Sequence, residues 1–149
     1  MTPEKPLTYL LGQTVNMVKH KLISKFKENG IDINLETFTF LHYIYQNENQ
    51  TQQDLSNHFL RDKSIILRQV NTLIENRYVT RITDKSDRRK KILMLTSKGH
   101  EVLQNSKKLS REVSNELLDG ITNEELQQFE SVIDKIQFNT GYKNCLSNN

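Results

Sequence analysis

Asp62-Lys63-Ser64-Ile65-Ile66-Leu67-Arg68-Gln69-Val70-Asn71-Thr72-Leu73-Ile74-Glu75-Asn76, followed at 78–95 by YVTRIT, DKSDRRK and KILML, is the stretch that decides the fold. In its first part the apolar residues recur at helical spacing. At about 100° per residue Ile66, Val70, Leu73 and Ile74 gather on one face. Arg68 lies roughly opposite, flanked by Ser64, Ile65, Asn71 and Thr72. Asp62 stands where an N-cap is expected, which predicts a helix running to about Asn76. The period then changes. Residues 78–83 and 91–95 read as two strands, and the loop 84–90 between them is charged and without a single apolar residue. Two strands joined by so short a connection predict an antiparallel hairpin.

Upstream, Thr51 with Asp54 three residues on makes a capping box for a short helix whose core residues are Leu55 and Phe59. Asn34 caps the helix before it, which carries Phe38, Leu41 and Tyr45 on one face with Phe40 and Ile44 beside them. The chain opens with an amphipathic helix marked by Leu7, Leu11, Val15, Val18, Leu22 and Phe26, widened by Leu10, Met17 and Ile23 and stopped by Asn29-Gly30. So much apolar surface at the start of a chain needs a cover, and a partner subunit is one option. Downstream, Thr96 caps a long helix with Leu103, Leu109, Val113 and Leu117 as its stripe, ended by Gly120. Thr122 and Glu125 box a last helix with Leu126, Phe129, Val132, Ile133 and Ile136, followed by a polar tail from Asn139.

The expected fold class is mainly α with a small β-hairpin wing. A short helix followed closely by one with a basic outer face is a helix-turn-helix pattern. The second helix must bury one side to stay fixed and offer the other to a major groove. Charge supports that reading. Between Arg61 and Lys91 ten basic residues face four acidic ones, a net +6, which leaves −3 for the rest of a chain of net +3. A basic centre between acidic ends predicts a localised polyanion-binding surface. Lys63 and Ser64 sit at a helix N-terminus, where free N–H groups favour phosphate. Ile65, Arg68, Gln69 and Thr72 follow on the same helix, and Arg88, Arg89 and Lys90 lie at the far end of the loop. These nine residues are the expected DNA-binding set.

The 149 residues, 35% hydrophobic and 26% charged, predict one globular domain. No apolar run is long enough to span a membrane, and the start of the chain lacks the pattern of a secretory signal, so the expected location is cytoplasmic, with no membrane partner. The one cysteine, Cys145, lies in the polar tail, where a lone thiol is more often incidental than a redox sensor. His20, His42, His58 and His100 include no helical i, i+4 pair, and there is no Cys-x-x-Cys. No metal and no cofactor is expected. There is no glycine-rich phosphate loop, serine elbow or Cys–His pairing, so an enzyme is not expected.

Thr51-Gln52-Gln53-Asp54-Leu55, Asp62-Lys63-Ser64, Asp84-Lys85-Ser86-Asp87-Arg88-Arg89 and Leu95-Thr96-Ser97-Lys98-Gly99 resemble, in order and spacing, the MarR family of bacterial regulators. The resemblance covers about residues 7–139, and the Asp-Arg-Arg wing followed by Leu-Thr-x-x-Gly is its most specific part. It implies a homodimer whose first and last helices interlock, each subunit presenting one winged helix to a half-site of a pseudo-palindromic operator in double-stranded DNA. The division it implies is a winged helix-turn-helix lobe at 34–96, with N- and C-terminal dimerisation helices at 7–29 and 97–138, all within one domain, 1–149. Ser64 and Arg68 then correspond to recognition-helix contacts, Arg88 to the wing-tip arginine and Asp87 to the acid that orients the wing. A repressor released by a small-molecule effector is implied, with His20, Tyr43 and Arg68 lining the pocket. Two departures stand out. Residues 65 and 67 are Ile and Leu where the family often carries hydroxyls, and Asn76-Arg77-Tyr78 stands where a glycine is common. The other reading open to the sequence is a winged-helix protein–protein adaptor without site-specific DNA binding, which predicts no salt-dependent DNA affinity.

Overall fold

The computed structural model describes residues 4–142, so Cys145 lies outside the described residues. The elements are α1 (Leu7–Glu28), α2 (Leu35–Gln46), α3 (Gln52–Phe59), α4 (Lys63–Glu75), β1 (Val79–Thr83), β2 (Lys91–Leu95), α5 (Ser97–Leu117) and α6 (Asn123–Asn139). Two compact units follow the chain, one up to Val113 and one from Ser114 onwards.

Local chemistry sets most of the ends in the first unit. The Asn34 side chain accepts the Thr37 N–H at 2.7 Å and starts α2. Thr51 and Asp54 form the full capping box that starts α3. At the end of α1, Gly30 takes a φ of +74°. The hairpin is antiparallel, in a register that pairs Val79 with Leu95 and Thr83 with Lys91. The first strand begins at Val79, one residue later than the sequence pattern indicates, because the Tyr78 N–H closes the end of α4 by donating to the Leu73 carbonyl at 2.9 Å.

The main core joins α2, α3, α4 and the hairpin to the start of α5: Phe40, Leu41, Ile44, Leu55, Ile66, Val70, Leu73, Val79, Leu93 and Leu103. A second cluster packs Leu22 and Phe26 of α1 and Ile33 against Leu109 and Val113 of α5. The buried side of α2 runs through Phe40, Leu41 and Ile44, while Tyr45 is exposed. The expected stripe through Tyr45 is thus corrected: its ring meets His100 edge-on and lies under the Lys107 ammonium, outside the core. On α1, Leu7, Tyr9, Leu10, Val15, Met17 and Val18 remain exposed within the unit. In the second unit Gly120 breaks the chain with a φ of +78°, and the Thr122–Glu125 capping box starts α6. No described residue of α6 is buried, and Phe129, Val132 and Phe138 are exposed. Among the described residues no helix is long and apolar enough to cross a membrane.

Where α4 meets the wing and α5, the backbone is unusually crowded. Arg77 adopts a φ of +61°, the left-handed conformation that a glycine would supply there. The departure from glycine therefore leaves the turn intact and places the strain on an arginine. The Tyr78 carbonyl then accepts the Thr96 N–H at 3.0 Å. The Thr96 hydroxyl donates to the Arg77 carbonyl at 2.5 Å and accepts the Gly99 N–H at 3.0 Å. A Cβ on Gly99 would lie 2.0 Å from the Tyr78 carbonyl oxygen. Leu-Thr-x-x-Gly is thus a helix cap tied to the preceding turn, with a glycine that lets backbone meet backbone.

Gly99→Ala should lower unfolding stability by about 3 kcal/mol or more, because the obstacle is backbone and cannot rotate away. Arg77→Gly should raise it by about 1 kcal/mol, the relieved strain exceeding the freedom that glycine adds to the unfolded chain. Urea unfolding at matched protein concentration measures both.

Candidate nucleic-acid interface

The α4 helix presents Lys63, Ser64, Arg68 and Thr72 to solvent, while Ile66, Val70 and Leu73 are buried beneath them. Ser64, Arg68 and Thr72 are four apart and form one row along the outer face. Ile65 is half-buried on one flank. Gln69 is also half-buried, and its Oε1 is enclosed with no hydrogen-bond partner. That atom is turned away from the outer face, because Gln69 sits only about 60° from Ile66 around the helix. The Thr72 hydroxyl donates to the Arg68 carbonyl at 3.1 Å.

Asp62 occupies the N-cap position of α4 in an extended conformation, but its side chain makes no capping bond. The expected cap is corrected: among the described residues no side chain caps the first turn of α4, where Lys63 and Ser64 are exposed. Such a terminus attracts a phosphate oxygen. The turn before it is braced by an ion pair between Arg61 and Glu36.

Two polar devices hold the wing. The first is Arg81 on β1. Its Nε donates to Gln52 Oε1 at 2.9 Å and its Nη2 to Asn71 Oδ1 at 2.7 Å, tying β1 to the start of α3 and the side of α4. The second is Asp84, whose Oδ1 accepts the Ser86 hydroxyl at 2.5 Å and the Ser86 and Asp87 N–H groups, each at 2.8 Å. The Ser86 hydroxyl contributes most to holding the Asp84 carboxyl below the ordinary aspartate range, followed by those backbone N–H groups. Asp87 Oδ1 in turn accepts the Arg89 N–H at 3.0 Å, and its carbonyl accepts the Lys90 N–H at 2.9 Å. Asp87 therefore folds the wing tip through backbone, and Arg88, Arg89 and Lys90 stand exposed on it.

Neither Arg81 nor Asp84 was singled out by the sequence reading, and each had a signal. Arg81 stands two residues after buried Val79 on a strand, so its side chain leaves on the same face. Asp84-x-Ser86 is an Asx-turn pattern. Of the three residues expected around an effector, His20 is exposed on α1 and Arg68 is exposed on α4. Tyr43 is half-buried on α2, with its hydroxyl donating to Gln50 Oε1 at 2.8 Å and its ring stacked on His58 at 4.1 Å. A cavity of about 300 Å³ at the end of α2 is lined instead by residues including Ile44, Tyr45, Ile92, Met94 and His100. Among the described residues no cluster of three or more His, Cys, Asp or Glu is placed to hold a metal ion.

Residues 33–91, the stretch that holds α4 and the wing tip, match the model of the MarR family. Over that segment the chain is similar to the MarR family. The HTH-type transcriptional regulator BilQ of Clostridium symbiosum is 26% identical over 113 residues, 76% of this chain and 77% of the relative. Solved MarR-family folds superpose over most of the chain. The S. aureus MepR–DNA complex gives a TM-score of 0.81 at 22% identity, covering 93% of this chain and 99% of that one. The transcriptional repressor CouR bound to a 23-mer DNA duplex gives 0.78 at 21%, covering 88% and 92%. CouR from Rhodococcus jostii RHA1 bound to p-coumaroyl-CoA gives 0.75 at 22%, covering 89% and 92%. At these identities the structural likeness speaks to the fold.

In this wing the Asp84 turn contributes stability that is present above the ordinary aspartate range. That stability is lost as pH falls through the depressed folded value, since the folded wing binds its proton less readily than the unfolded chain. NMR titration should find the Ser86 and Asp87 amide shifts moving with a midpoint below that of an unstructured aspartate peptide. Asp84→Asn should abolish the transition.

Proposed function

We propose that this chain is a sequence-specific DNA-binding transcriptional regulator, acting as a homodimeric repressor that a small-molecule effector releases. The observation that carries the reading is the exposed row Ser64–Arg68–Thr72 on α4 beside a wing whose Arg88, Arg89 and Lys90 are held on a hydrogen-bonded turn. The α4 helix enters the major groove, with Arg68 positioned for a base edge and with Lys63, Ser64 and the open α4 N-terminus on phosphate. Ile65 and Thr72 complete the helix surface, with Gln69 half-buried beside them. The wing reaches the adjacent minor groove or backbone, where arginine is favoured in narrow A·T tracts, with Asp87 orienting its tip.

Residues 34–96 form the DNA-binding lobe of a single functional domain. Residues 7–29 and 97–138 supply dimerisation, because the uncovered apolar side chains of α1 and of α6 need a partner's surface. The half-sites of the operator then lie about one helical turn apart. The ligand-bound CouR structure supports an effector site, placed here around His20, Tyr43 and Arg68. A ligand there acts by population shift, favouring a lobe spacing unsuited to B-form DNA. A cytoplasmic regulator without enzymatic activity completes the proposal, in keeping with the regulator relatives.

Fluorescence anisotropy on the DNA upstream of the protein's own gene, titrated across salt, tests it. Tight, sequence-dependent binding with a steep salt slope is expected. Arg68→Ala should cost about tenfold in specific affinity or more and relax specificity at one position. Arg89→Ala should weaken binding to all sequences and flatten the salt slope by about one. Unchanged affinity in both variants would remove the interface from these surfaces, and the absence of any salt-dependent binding would point to an adaptor.

A further inference from the structure

The outer half of α4 carries two apolar side chains that the core does not use. Leu67 is 46% exposed, and neither Leu67 nor Ile65 packs into either hydrophobic cluster. Around the helix they stand on opposite sides of Arg68, Leu67 about 100° and Ile65 about 60° from it. Leu67 shares its side with Asn71, which Arg81 of β1 holds at 2.7 Å, so Leu67 lies on the flank turned towards the wing. Nothing in the helix requires leucine there, because Lys or Glu would serve an exposed helical position equally well and hydrate better.

We propose that Leu67, with Ile65 on the other side of Arg68, reads thymine C5-methyl groups in the major groove. The inference rests on the DNA-binding reading above and adds the base that this surface selects. In the major groove thymine alone among the four bases presents a methyl group, and apolar side chains are its natural contact. A leucine or isoleucine laid over the amino group of cytosine or the O6 of guanine would strip water from a polar edge and return no hydrogen bond, which is unfavourable. The same side chain against a methyl removes apolar surface from water on both partners. The surroundings match a polyanion: Lys63 and Arg68 on the same helix and Arg88, Arg89 and Lys90 on the wing are exposed cations. Two apolar side chains divided by Ser64 and Arg68 form no continuous patch of the kind that docks another protein.

The test begins with the duplex that the full-length protein selects from a randomised pool. Each thymine is replaced singly by deoxyuridine, which removes only the methyl group. Wild-type affinity should fall about fourfold at one or two positions in each half-site, the value of one buried methyl. Leu67→Ala should bind thymine and uracil equally at one of those positions, and Ile65→Ala at another. The thymine-to-uracil ratio is taken within each variant, so a variant that loses some stability still reports. Specific binding with no uracil sensitivity anywhere would overturn the proposal and leave the DNA reading standing. Uracil sensitivity unchanged in both variants would overturn it too, by assigning the methyl contacts elsewhere. Absence of sequence-specific binding to any duplex would overturn both readings together.

Discussion

The Tyr78 carbonyl oxygen is the point on which the geometry of the helix-and-hairpin lobe depends. It closes a contact between three elements: α4 ends just before it, β1 begins just after it, and it accepts the N–H of Thr96 at the start of α5. Gly99 must lie against it with no side chain, and Arg77 must turn left-handed to deliver it. Lys98 adds a bond to the Asn76 carbonyl at 3.0 Å and a cation over the Tyr78 ring at 4.9 Å, both at the negative end of the α4 dipole. A change in this corner moves the recognition helix, the wing and α5 together, because all three share its backbone bonds.

From that corner outward, precision comes from polar side chains that each hold several partners. Arg81 spends its donors on Gln52 and Asn71, and Asp84 spends one carboxylate oxygen on three donors. Neither device contacts a proposed ligand. Each removes freedom from a part that does, so less ordering entropy is lost when DNA binds. The contrast with the apolar faces is plain. Val15 and Met17 of α1 and Phe129 and Val132 of α6 are exposed, whereas the hairpin and α4 bury theirs within the lobe. The lobe buries its apolar core by itself, and α1 and α6 are where large apolar side chains stay exposed.

The sequence pattern located elements well where a strong local signal stood alone. The Thr51–Asp54 and Thr122–Glu125 boxes, the Asn34 cap and the Asn29-Gly30 stop all form as their residue types predict. Pattern failed where two local preferences were equal and packing chose between them. Tyr45 fits the spacing of the α2 stripe as well as Ile44 does, yet burying it would also bury a hydroxyl, and the ring lies outside with His100 and Lys107. Asp62 has the right type and place for a cap, but its side chain turns away and leaves the α4 terminus open. Gln69 looked like surface by its chemistry, and its Oε1 is enclosed.

The succession of three helices, two strands and a charged loop, the basic centre and the cationic wing tip were legible in the residues themselves, because hydrophobic period, capping chemistry and charge are local properties of a chain. The tertiary structure decided which of those residues meet. That Arg81 reaches across to Gln52 and Asn71, that Gly99 must be bare for the Tyr78 carbonyl, and that Arg77 can stand in for a glycine are facts about groups 10 to 29 residues apart. Their contacts depend on how helices and strands pack, and packing is settled by the shape of the whole core, which no single stretch of sequence contains.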